Sequence, residues 1–317
     1  MLSSHDLISI ADLDEADVTT LIEMAVSFKD VSTRQIKKVP TLRGRTIINL
    51  FLEPSTRTRT SFEVAGKRLS ADVINISGSG SSMVKGESLK DMAKTIEAMQ
   101  VDAVVIRHWS SGAAHKLAHY IKPPVINAGD GSHEHPTQAL LDLLTIEESL
   151  GKVAGVKVAI VGDIAHSRVA RSLILLLNMM KAKVTLVAPP MLLPVGIEQY
   201  GCDIAHTIDD VIADSDVLYL LRIQKERLTG ELFSDDAEYN RQYGLTTERW
   251  GRTLKNCKIM HPGPMNRGVE IDGVVADSFG SLITAQVENG VALRMAVLYL
   301  LVGGASVSLE EPKVEAV

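Results

Sequence analysis

Cysteine is scarce in this chain of 317 residues: Cys202 and Cys257 stand far apart, in no CxxC pair. That provides neither a zinc framework nor a disulfide scaffold, and a reduced, cytoplasmic setting is the simple reading. Positive charge is not in excess either, since 33 Lys and Arg against 39 Asp and Glu give a net charge of −6. No general basic field draws nucleic acid or an acidic membrane, so any anion site has to be local. Long apolar runs are missing too. Those near Leu173–Leu177 and Met295–Val302 fall short of the roughly 20 residues that span a bilayer, and read as core. Asp6, Asp12, Asp14, Glu15 and Asp17 make the start unlike a signal or transit peptide. The chain also lacks G-x-G-x-x-G and HExxH, which argues against a dinucleotide fold and a zinc hydrolase.

With 45% hydrophobic and 23% charged residues, the composition is that of a globular protein, and the length suggests two domains. Strand-like runs at Thr46–Leu52, Val73–Ile76, Ala103–Ile106 and Pro123–Asn127 alternate with helical patterns after Ser55, over Ser88–Gln100, and from Pro136 to Leu150. Gly151–Gly155 reads as a hinge, and the rhythm restarts with Lys157–Val161, a helix over Arg168–Met180, then Val184–Ala188, Asp216–Leu221 and Lys258–His261. Repeated strand–helix units imply parallel sheets covered by helices. The expected fold is α/β with two domains, each a parallel sheet flanked by helices, bridged by a mid-chain helix and a C-terminal helix over about Ala285–Val302. Boundaries fall at 1–150, 151–284 and 285–303, with a tail at 304–317.

The chemistry concentrates where strands end. Glu53-Pro54-Ser55-Thr56-Arg57-Thr58-Arg59 follows a strand and opens a helix. A helix start offers unpaired N–H groups and partial positive charge, so a phosphate sits well there, and hydroxyls and an arginine fork add donors. A helix cap alone accounts for one Ser or Thr, not for two arginines among three hydroxyls. Arg107 follows the run Ala103–Ile106, and Arg222 and Gln224 follow Tyr219–Leu221. In open parallel sheets ligands bind at such carboxyl ends. Arg168 stands at a helix start, where a cation opposes the dipole and an anionic ligand would supply the reason. His133-Glu134-His135-Pro136-Thr137-Gln138 precedes a helix; with no third ligand cluster, a neutral histidine bonding a carbonyl oxygen is the better reading than a metal. Ser77–Glu87 is a small-residue stretch with Lys85 inside it, a linker or a mobile loop that closes over anions. His261-Pro262-Gly263-Pro264 fixes a tight turn whose carbonyls could face a ligand.

From about Leu42 to Leu301 these motifs, in this order, resemble the aspartate carbamoyltransferases. Ser-Thr-Arg-Thr-Arg and His-Pro-Thr-Gln are shared with the ornithine enzymes, whereas Lys85 in its Gly/Ser loop, Arg222-Ile223-Gln224 and His261-Pro262-Gly263-Pro264 favour aspartate. The resemblance implies transfer of a carbamoyl group from carbamoyl phosphate to the α-amine of L-aspartate, an early step of de novo pyrimidine synthesis, with no covalent intermediate, no cofactor and no metal. Ser55, Thr56, Arg57 and Thr58 would hold the phosphate, Arg107 would bridge phosphate and carbonyl, and Thr58, Arg107 and His135 would stabilise the oxyanion. Gln138 and the carbonyls around Pro262 and Gly263 would hold the carbamoyl NH₂, with Pro264 shaping the turn. Lys85, Arg168, Arg222 and Gln224 would bind the aspartate carboxylates. Ser81 and Lys85 would reach into a neighbouring subunit's site, which implies a homotrimer with shared sites; regulatory or dihydroorotase-type chains are the further partners it could take. Glu53 would pair with Arg168 and Arg227 across the domain gap, and the loop from Lys225 to Trp250 would be the moving flap. An ornithine enzyme needs an acidic grip where this site offers cations. A silent assembly homologue should have lost Arg57, Arg107 or His135, all present here, and this chain lacks the glycine fingerprint of a nicotinamide dehydrogenase.

Overall fold

The computed structural model describes residues 2–78, 86–224 and 235–303. In chain order the elements are α1 (Glu15–Thr33), β1 (Thr46–Phe51), α2 (Thr56–Arg68), β2 (Asp72–Ser77), α3 (Leu89–Ala98), β3 (Ala103–His108), α4 (Ala113–Tyr120), β4 (Val125–Asp130) and α5 (Pro136–Leu150). They continue with β5 (Lys157–Val161), α6 (Arg168–Met179), β6 (Lys183–Val187), β7 (Asp203–Ala205), β8 (Val217–Leu220), α7 (Asp236–Tyr243), α8 (Thr247–Trp250), β9 (Lys258–Met260), α9 (Gly273–Ala276) and α10 (Ile283–Val302).

The strands form two sheets, ordered β2-β1-β3-β4 and β7-β6-β5-β8-β9. Each pairing within them is parallel, as expected for strands joined by helical crossovers. β3, β4, β5 and β8 are almost wholly buried, which is why they read as continuous apolar runs. In both sheets the strand order reverses beside the first strand, between β1 and β3 and between β5 and β8. Chain leaving such a reversal diverges to opposite faces and leaves a crevice at the carboxyl ends. Ser55–Arg57 and Arg107 flank one reversal, and Arg168 and Arg222 flank the other.

Two helices tie the halves together. α5 packs against β4, α6 and α10, and α10 packs against α1, α2 and α5. By length and composition α10 could cross a membrane. Here Leu293, Met295, Ala296, Val297 and Leu298 are wholly buried among those helices, each large side chain contributing about 1.5–3 kcal/mol of burial. The acidic start of the chain becomes a 19-residue helix, α1, capped by Asp14, whose side chain accepts from Asp17 N. The short elements α4, β7 and α7 also went unread, being too brief to show a period. Of the expected flap, the described residues form α7 and α8, with Tyr239 and Tyr243 buried.

Candidate active site

A cavity of about 580 Å³ lies between the two crevices. From the end of β1 and the first turn of α2 it receives Glu53, Ser55, Thr56, Arg57 and Thr58; from β3, Arg107; from the start of α5, His135 and Gln138. The second sheet adds Arg168, Arg222 and Gln224, and the turn after β9 adds Pro262, Gly263 and Pro264. Every described candidate from the sequence therefore meets in one place. Ser81, Lys85 and Arg227 lie outside the described residues. A second depression of about 740 Å³, along the β2 edge, is lined by Lys38, Arg43 and Lys67 and holds none of the candidates.

Ser55 is the N-cap of α2, and its side chain makes no cap bond. The free N–H groups of that helix start therefore face the cavity with its hydroxyl available. Arg57 lies flat on the turn at Gly263, where φ is +66° and a Cβ would stand 2.7 Å from the Arg57 Cζ. Only glycine permits that approach. The Gly263–Pro264 peptide is cis. Gly129, with φ of +115°, gives similar room at the end of β4, where a Cβ would meet the Arg168 Nε at 3.0 Å and the Arg107 Nη1 at 3.1 Å.

Glu53 organises the arginines. Its carboxylate accepts from Arg107 Nη2 at 2.9 Å and from Arg168 Nη1 at 2.9 Å, with a further short bond from Arg168 Nη2. Arg107 also donates to Ala128 O at 3.2 Å, and Arg168 to Gly131 O at 3.1 Å. The local anion that holds Arg168 at its helix start is thus Glu53, on the other half of the chain. Gln224 is braced by Nε2 donating to His166 O at 2.9 Å and by its own N–H donating to Asp163 at 3.2 Å.

His135 is buried at the N-cap of α5. Burial, helped by the charges of Arg107, Arg294 and Arg168, holds its pKa well below the usual histidine value. It is neutral at ordinary pH, and its Nδ1 has no partner among the described residues. Its N–H donates to Ser172 Oγ at 2.8 Å, and that hydroxyl donates to Glu134 at 2.9 Å. Glu134 also receives Ile10 N at 3.0 Å and a short bond from Ser9. Its role in the His-Glu-His run is to lock the N-terminal segment onto α6.

Asp142, Tyr219, Gln286 and Arg294 were missed by sequence reasoning. Arg294 lines the cavity, donates to Ser61 Oγ at 3.1 Å and to Gly290 O at 3.0 Å, and stands over the Phe62 ring. Burial pulls its pKa down to about 10. Asp142 is wholly buried and pushed up to about 7 by burial, against the pull of bonds from Tyr219, Gln286 and Gln138. For Asp142 and Arg294 a signal existed: each is a charge inside an apolar stretch of helix, which is costly unless something answers it.

Chemically, the cavity presents a helix start, several cations, a neutral imidazole and a proline turn. Such groups suit a phosphate at the helix start, an oxygen facing the imidazole and a second anion beside them. Comparison with known proteins agrees. The carbamoyl-P binding domain model of aspartate/ornithine carbamoyltransferases matches residues 5–148, and the Asp/Orn binding domain model matches 154–301. The aspartate carbamoyltransferase catalytic subunit of Acidothermus cellulolyticus is 57% identical over 303 residues, covering 96% of this chain and 94% of that one. The Trypanosoma cruzi aspartate transcarbamoylase, solved with carbamoyl phosphate and aspartate, superposes with a TM-score of 0.82 at 33% identity, over 93% of this chain and 95% of that one. The Pyrococcus furiosus ornithine carbamoyltransferase gives a TM-score of 0.84 at 29% identity, over 95% and 98%. The fold alone therefore does not separate the aspartate from the ornithine enzymes. On the domain models and the near full-length identity, the chain belongs to the aspartate/ornithine carbamoyltransferase family.

Proposed function

We propose that this protein transfers the carbamoyl group of carbamoyl phosphate to the α-amine of L-aspartate, giving N-carbamoyl-L-aspartate and phosphate. The observation that carries the proposal is the meeting of Arg57, Arg107, Arg168 and Arg222 in one cavity with a neutral, buried His135. Cations suit a substrate with a phosphate and two carboxylates; they do not suit ornithine's side-chain amine.

The phosphate rests on the α2 start, held by Ser55, Thr56, Arg57 and Thr58, with Ser81 of a neighbouring subunit completing the cradle. Arg107 bridges phosphate and carbonyl. Thr58, Arg107 and His135 donate to the oxygen that becomes negative when the deprotonated amine attacks. Removing one such donor costs about 10²–10³ in turnover. Being neutral, His135 donates without having to give up a proton. Gln138 and the Pro262 and Gly263 carbonyls hold the carbamoyl NH₂, with Pro264 shaping that turn. Arg168, Arg222, Gln224 and the neighbour's Lys85 hold aspartate. Phosphate leaves with the electron pair of the broken C–O bond and accepts the amine's proton. Binding and alignment supply the remainder of the rate.

On this reading residues 1–150 bind carbamoyl phosphate, 151–284 bind aspartate, and the helix in 285–303 returns to the first half. Glu53 and Arg227 belong to closure of the two halves. The enzyme is a cytoplasmic homotrimer working early in pyrimidine synthesis. Initial-rate assays of the purified chain should give N-carbamoyl-aspartate; no product, or faster turnover of ornithine, refutes the assignment. For the shared site, mixing Arg57→Ala and Lys85→Ala subunits should restore part of the activity each lacks alone. No recovery after subunit exchange would confine each site to one chain.

A further inference from the structure

The geometry points to Asp142 as a positioning residue that sets both acceptors for the carbamoyl NH₂, an inference resting on the function proposed above. Its Oδ1 accepts from Gln138 Nε2 at 3.0 Å and from Gln286 Nε2 at 2.7 Å, while its Oδ2 accepts from Tyr219 OH at 2.6 Å. Gln286 in turn accepts, through Oε1, the N–H of His261 at 3.0 Å. One carboxylate oxygen thus anchors the Gln138 side chain and, through Gln286, the entry to the Pro262–Gly263–Pro264 turn. The three anchored elements are α5, β8 and α10, so the contact crosses from the first half of the chain to the second.

The consequence lies in the amide of Gln138. An amide side chain presents a donor at one end and an acceptor at the other, and its neighbours decide which way it points. Because Asp142 takes the Nε2 end, Oε1 is the end left for the cavity that Gln138 lines. An acceptor there fits an NH₂ group and repels a carbonyl oxygen, so the carbamoyl group enters in one orientation. Without the anchor the amide can turn over and offer N–H groups instead.

The arrangement tolerates a neutral Asp142. The groups facing it are Tyr219, Gln138, Gln286 and the more distant charge of Arg294. A proton on Oδ2 can be donated to the Tyr219 oxygen while Oδ1 keeps both amides. Asparagine can do the same with its NH₂ group, whereas leucine keeps the bulk and loses the acceptor.

The test uses the full chain in its native assembly and compares two ligands, carbamoyl phosphate and inorganic phosphate. Phosphate reads the cradle of Ser55–Thr58, Arg107 and the neighbour's Ser81 without the carbamoyl contacts, because it has no NH₂. Asp142→Leu should raise KM for carbamoyl phosphate about tenfold, with the inhibition constant of phosphate changed by less than about twofold. Asp142→Asn should restore KM to within about threefold of the parent. Parallel shifts for the two ligands, or an unchanged KM in Asp142→Leu, overturn the proposal. Should Asp142→Leu fail to fold, Gln286→Met removes one arm and should show the same split; an unchanged KM there is equally fatal. A parent chain that neither binds nor uses carbamoyl phosphate defeats the proposed function itself, whereas parallel shifts in an active enzyme defeat only the role of Asp142.

Discussion

Gly263 and Arg57 occupy each other's space: the glycine's φ of +66° and the 2.7 Å gap to a notional Cβ leave room for a guanidinium and nothing else. Alanine there would carry a left-handed backbone cost of about 1–2 kcal/mol and push Arg57 off the α2 start. Gly263→Ala should therefore cut activity at least about tenfold while lowering stability modestly. Steady-state rates and urea melts distinguish this from global unfolding, and a fully active Gly263→Ala enzyme would show that Arg57 is not held by this turn. His135 offers a second test. Its folded pKa lies well below the ordinary 6.5, chiefly through burial, so the unfolded chain takes up the proton first as pH falls. The associated stability is complete above about 6.5 and declines as pH drops from there toward the folded value. Relative to His135→Gln, the parent's melting temperature should fall between about pH 7.5 and 5.5; a constant difference would contradict a buried neutral imidazole. Asp142 runs the other way, since a carboxyl raised from 3.8 to about 7 loses stability as pH climbs between those values. The comparison must therefore be made between variants rather than on one curve.

At the scale of elements, the helix starts do separate work. α2 begins at a Ser55 cap whose side chain is uncommitted, and α6 begins with Arg168 against its own dipole, held there by Glu53. α1 begins conventionally, with Asp14 and Asp17 forming a reciprocal capping box. Because α1 packs on α10 and α5 away from the cavity, its cap should matter for stability alone. Asp14→Ala is expected to cost about 1 kcal/mol with kcat and KM unchanged, read by chemical denaturation beside an activity assay. Apart from β7, the strands were legible to within about three residues, and most clearly the buried ones, since parallel strands covered on both faces must be apolar throughout. α5 was legible because Pro136 can open a helix but not continue one. α1 was not, because its start shows only as a cluster of acids until the caps are seen to bond.

For the whole molecule, the joint between halves is electrostatic where the cavity opens and apolar along α5 and α10. Glu53 receives two arginines, Arg107 from the first sheet and Arg168 from the second. Replacing it with glutamine takes from two partly buried cations the carboxylate they share. Glu53→Gln should lower stability by about 1–3 kcal/mol and raise the KM for aspartate more than that for carbamoyl phosphate, since Arg168 loses its tether. A larger effect on the KM for carbamoyl phosphate would argue that Glu53 serves only the first half.

The sequence by itself determined the class of fold, the places where strands end and the cations and histidine found there, because apolar periodicity and helix-start chemistry are local properties. It also carried the resemblance to the aspartate enzymes, which rests on a few motifs, while the backbone superposes equally well on an ornithine enzyme. Tertiary structure alone decided which charges answer one another. Glu53 and Arg168 are 115 residues apart and Asp142 and Gln286 are 144 apart. A buried charge reveals in sequence only that it needs a partner; the packing of α5, β8 and α10 chooses which one.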